Sequence, residues 1–149
     1  RPEEIAYIAT QALLLKKSGQ ADKGLQVLRD GLDLYPGNYP LSVYYTQALL
    51  DEGRAADALK LLEQLLRSHP YEGQLHKLAA RAAGDSGEKN LAHQYLAEYY
   101  YQSGALEPAA QQLEIALRDK QISDFRSAQM TARLAEITDE LDALKQRRK

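Results

Sequence analysis

The side chains able to do chemistry are few and poorly spaced for it. The three histidines, His69, His76 and His93, stand far apart. There is no HExxH, and no histidine pair falls four apart on one helix face, the spacing that holds zinc. With no cysteine, disulfides, thiolate metal sites and cysteine nucleophiles all drop out together. Asp51–Glu52 and Asp139–Glu140 are adjacent carboxylates, and adjacent helical residues do not face each other. They suit a solvated surface better than an acid–base pair. No G-x-x-x-x-G-K-[ST], G-x-G-x-x-G or G-x-S-x-G occurs, so the glycines are expected in turns and not around a phosphate. His69, next to Pro70, is expected at a helix end. His76 and His93, isolated in polar stretches, are expected to be exposed or capping.

The ten tyrosines are the more informative excess. They cluster as Tyr35 and Tyr39, Tyr44 and Tyr45, and Tyr99, Tyr100 and Tyr101. Consecutive helical positions lie about 100° apart, so three in a row cannot all face one core. Most are expected to fill the core, with Tyr101 looking onto a groove, where large area and a hydroxyl favour contact with a partner.

Composition says what must hold these residues. Of 149 residues, 44% are hydrophobic, mainly Leu and Ala, with one Phe and no Trp. Good helix formers dominate and β-branched residues are scarce, which implies helices packed on helices. A net charge of −2 and a pI near 5.9 argue against nucleic acid as a partner. No apolar run approaches the roughly 20 residues of a transmembrane helix, and no signal peptide is visible. The opening Arg1-Pro2-Glu3-Glu4 lacks a Met, and we expect the chain to be cut from a longer protein.

An internal repeat sets the architecture. Gly19, Gly53 and Gly87 recur every 34 residues, as do Pro36 and Pro70, Gly24, Ala58 and Ala92, and Leu28 and Leu62. Each landmark has a mechanical reason. The glycines end one helix in a conformation that a Cβ resists. The small residues let the second helix come close to the first, the leucines fill the seam, and the prolines stop the second helix. The period and the order of landmarks resemble the tetratricopeptide repeat, a pair of antiparallel helices.

The expected fold is therefore all-α: a single domain over 1–149, a right-handed superhelix of about eight antiparallel helices. We place them at about 3–18, 21–34, 39–52, 55–68, 72–85, 88–102, 106–119 and 123–146. Residues 5–38 and 39–72 form regular repeats, and 73–119 form irregular stacked helices. Gly104 follows Gly87 by only half a period, so helix 88–102 should close one pair and open the next. Helix 123–146 carries one apolar stripe, Leu134, Ile137, Leu141 and Leu144, and ends in Lys145, Arg147, Arg148 and Lys149. It reads as a capping helix.

A more particular resemblance begins at His69. The stretch HPYEGQLHKLAARAAGDSGEKNLAHQYLAEYYYQSGALEPAAQQLEIALRDK (69–120), above all AHQYLAEYYYQSGALEPAAQQLEIAL (92–117), is similar to the C-terminal repeat domain of BepA/YfgC-like β-barrel assembly-enhancing proteases. These are periplasmic zinc metalloproteases of Gram-negative bacteria. DFRSAQMTARLAEITDEL (124–141) agrees with how that family ends, whereas residues 1–68 match only as ordinary repeats. The resemblance implies a periplasmic, non-catalytic module that docks on its own protease domain. That module would bind outer-membrane β-barrel proteins and the barrel assembly machinery. Zinc is expected only in the protease domain, which this sequence does not contain, and no cofactor is expected here. The other reading is a stand-alone scaffold or adaptor of the cell envelope.

By the repeat frame, the inner faces of the first helices line a groove. Its expected lining is Lys16, Gln47, Lys77, Arg81, Gln94, Glu98 and Tyr101, made partly positive by Lys16, Lys77 and Arg81. Gln47 and the acidic Asp51 argue against a clamp for a chain-terminal carboxylate and favour an extended or partly folded segment.

Overall fold

A computed structural model describes residues 1–149. The chain forms eight α-helices and no strand: α1 (Pro2–Lys17), α2 (Ala21–Leu34), α3 (Tyr39–Asp51), α4 (Ala55–Ser68), α5 (Gly73–Asp85), α6 (Lys89–Gln102), α7 (Leu106–Leu117) and α8 (Asp124–Arg147). Every element predicted from the sequence is present, with ends displaced by at most two residues.

The helix ends show why the punctuation was readable. After α1, Gly19 N–H donates to Lys16 O (3.1 Å) and Gln20 N–H to Leu15 O (2.8 Å). The same two bonds recur at Gly53–Arg54, Gly87–Glu88 and Gly104–Ala105. These glycines have φ of +79°, +75°, +83° and +82°, the positive region in which a Cβ is penalised. Asn38 caps α3 by accepting from Leu41 N–H (3.0 Å), and Ser123 caps α8 by accepting from Arg126 N–H (3.2 Å). Pro2 and the acidic Glu3 and Glu4 start α1, and Lys16 and Lys17 end it, in keeping with its dipole.

The chain divides into two compact units, 1–62 and 63–149, with the boundary inside α4. In the first, α2 packs on both α1 and α3 around Ile5, Ala12, Leu28 and Leu41. Gly24 explains how closely α1 and α2 approach. A Cβ built there would stand 2.8 Å from the carbonyl oxygen of Ala12, so the crossing has no room for one. In the second unit, α6 packs on both α5 and α7, the double role the shortened glycine spacing implied. Its core joins Ala97, Ala109, Ala110, Leu113 and Ala116 to Met130 and Ile137 of α8. The expected stripe of α8 is thus extended by Met130. Its far end is looser: beyond Ile137, Leu141 is half-buried and Leu144 is 41% exposed.

Candidate functional site

The site residues fall in two groups, one in each unit. In the first unit, Lys16 and Gln47 line an apolar cleft of about 110 Å³ with Ala9, Leu13, Tyr44 and Asp51. The spacings Ala9–Leu13–Lys16 and Tyr44–Gln47–Asp51 put each trio on one helix face. Leu13 and Tyr44 are about half exposed and form the apolar lips of the cleft. Lys16 Nζ is ion-paired with Asp51 across α1 and α3, so it adds little net positive charge there. Leu13 and Tyr44 were not foreseen, although the helical spacing from Lys16 and Gln47 could have indicated them.

In the second unit, Lys77 and Arg81 lie one turn apart on the exposed side of α5. The Lys77 ammonium sits 5.4 Å from the centroid of the Tyr99 ring, a cation–π contact between α5 and α6. Arg81 pairs with Asp85 (3.8 Å) along the same helix. Gln94 is half-buried on α6. Glu98 and Tyr101 are engaged by α8. The Arg133 guanidinium donates to both Glu98 oxygens (2.6 and 3.0 Å), donates to Glu136 (2.7 Å), and stacks over the Tyr101 ring at 4.2 Å. Tyr101 Oη–H donates to Glu140 (2.6 Å), a bond that raises its pKa above the ordinary tyrosine value. Glu98 foremost, with Glu136, holds the Arg133 guanidinium protonated more firmly than usual. Arg133 is therefore the residue that joins two of the expected site residues, Glu98 and Tyr101, and sequence reasoning did not single it out. Its partner lies 35 residues away, and no local pattern marks the pair.

The histidines act structurally. His69 Nδ1 lies 3.3 Å from Leu65 O, the helix-end role expected of it. His93 Nδ1 donates to Gln112 Oε1 (2.8 Å) between α6 and α7. His76 was expected to be exposed or capping and is instead buried, 8% exposed. Its position after Leu75 faces α6, where its ring meets Tyr95 at 6.3 Å, and its Nε2–H donates to Pro70 O (2.9 Å). Tyr95 shares this buried site, and burial, helped by Glu63, raises its pKa. No three His, Cys, Asp or Glu side chains converge to hold a metal ion. No helix is long and apolar enough to cross a membrane.

Helix pairs closed by repeated glycine turns, presenting clefts and charged faces, define a helical-repeat protein-interaction module. Residues 15–82, a little under half of the chain, match the tetratricopeptide repeat family. The fold is all-α and of the tetratricopeptide type, a repeat that suggests proteins as partners. No curated protein matches the chain.

Proposed function

We propose that this chain is the non-catalytic, partner-binding module of a periplasmic zinc metalloprotease. In that role it docks on the protease domain and receives outer-membrane β-barrel proteins and their assembly machinery. The observation that carries the reading is the likeness of residues 92–117 to the repeat domain of β-barrel assembly-enhancing proteases. The absence of cysteine is compatible with an oxidising compartment. Zinc would belong to the protease domain, and the three histidines of this chain each make a separate contact within the chain itself.

The binding face we favour is the Lys77–Arg81 side of α5, where two cations are exposed one turn apart. A photocrosslinker replacing Lys77 in intact cells should give adducts with envelope assembly partners. Lys77→Glu with Arg81→Glu should weaken partner capture severalfold while leaving helix content unchanged. Unaltered capture would exclude this face, and a parent polypeptide without HExxH would exclude the protease reading.

A further inference from the structure

One apolar face is uncovered where the repeat covers its counterparts. On α1, Tyr7 and Leu14 lie two turns apart on one side, with Gln11 between them, and they are 69% and 62% exposed. One period later these positions are Leu41, Tyr45 and Ala48; Leu41 is fully buried and the other two are half-buried. Two periods later they are Leu75, Ala79 and Ala82, all at 0% exposure. The position set therefore packs into the core in α3 and α5, and only in α1 is it largely exposed.

The structure shows what covers this set in α3. The covering helix is α2, whose Leu28 shares a core with Leu41. At its Gly31, a Cβ would come within 3.4 Å of a Leu41 methyl group. Tyr35, just past the end of α2, packs on the same cluster. The link from α2 to α3 is only Tyr35–Asn38, so the covering helix is the one immediately preceding in the chain.

We propose that the Tyr7–Gln11–Leu14 face of α1 is the seat of a further helix of the α2 kind, carried directly before α1 on the same polypeptide. Its chemistry follows from α2: an amphipathic helix with Leu, then a small residue, then an aromatic, each about one turn apart. A short link keeps such a helix at high effective concentration, which a separate protein lacks. Covering the face extends an interface the chain already contains, as stacking of repeats requires. The inference rests on the repetition alone and is independent of which protease or scaffold the chain serves.

The test joins a copy of residues 21–38 directly to residue 5, which the period makes the counterpart of residue 39. The extended chain should gain helix content, and its Tm should rise by about 5 °C or more. Leu14→Lys should leave the Tm of the original chain unchanged but remove the gain in the extended one. Leu→Glu at the copied Leu28 should remove it as well. No added helix, no rise in Tm, or a rise indifferent to Leu14→Lys would overturn the proposal. So would concentration-dependent self-association of the original chain that Leu14→Lys abolishes, since a second copy would then own the face. A monomer in sedimentation equilibrium supports it.

Discussion

Helices α2 and α6 are both 14 residues long, yet they meet their surroundings in opposite ways. In α2 a narrow stripe, Gly24, Leu25, Leu28 and Gly31, is buried, while Gln26, Arg29, Asp30 and Asp33 remain in water. In α6 only Ala97 is fully buried, but Leu91, His93, Tyr95, Leu96, Glu98, Tyr99, Tyr100 and Tyr101 are all half-buried. The cause is the number of neighbours. Besides α5 and α7, α6 receives Arg133 of α8 on its remaining side and Arg126 near its start, where Arg126 pairs with Glu88 (3.5 Å). A helix hemmed in on several sides needs amphipathic side chains all round, and tyrosine supplies them. The lesson is that a sharp apolar stripe marks a helix with a free side. Its loss marks a helix shared between neighbours, and it is there that the 34-residue landmarks fail.

Four measurements would break or sharpen this contrast, in descending order of effect. Leu113→Ala empties a fully buried site in the α6–α7–α8 core and should cost about 3 kcal/mol in chemical denaturation. A loss under about 1 kcal/mol would mean that this core repacks freely. Arg133→Met should cost about 1–2 kcal/mol, because Glu98, only 23% exposed in its side chain, is left without its cation. Amide exchange in α8 should quicken, and unchanged protection would show that the helix is held by Met130 and Ile137 alone. Gly24→Ala should destabilise by about 1 kcal/mol despite the better helix propensity of alanine, since the new Cβ meets backbone. A stabilised variant would disprove the tight α1–α2 crossing.

The smallest effect is electrostatic. Asp119 accepts from Gln121 N–H and from the Asn90 side chain, and these bonds hold its pKa below the usual aspartate value. Its folded-state pKa is thus lower than its unfolded one. Any stability it contributes is present above the unfolded value and lost as pH falls through the folded value. A carboxyl titration by NMR should place its midpoint below that of exposed aspartates, and Asn90→Ala should move it part of the way back. An unmoved midpoint would assign the whole effect to the Gln121 amide.

Much of the fold was legible in the sequence because its determinants are local. A glycine at φ near +80° is needed at each tight turn, and Gly19, Gly53, Gly87 and Gly104 announce those turns without knowledge of the rest. Gly24 was similarly visible as a close crossing through its small size. The candidate site was less legible because its contacts are not local. The Lys16–Asp51 pair depends on how α1 lies beside α3, and the Arg133–Glu98 pair on where α8 docks. His76 looked exposed because its sequence neighbours include Gln74 and Lys77, yet the helix turns it toward Tyr95. Side chains of mixed character reveal their side of a helix only when the neighbours are known.

The glycine turns also restrict how the chain can change over time. At Gly19, Gly53, Gly87 and Gly104 nothing lies within 4 Å of a built Cβ, so there is ample room for a side chain. The constraint is one of handedness and not of volume. Asparagine, the L-residue most at ease in a left-handed bend, should be the mildest replacement, and valine, though small, among the harshest. Drift at these corners is therefore filtered by backbone chirality, while the helices between them remain free to vary the surfaces they offer to other proteins.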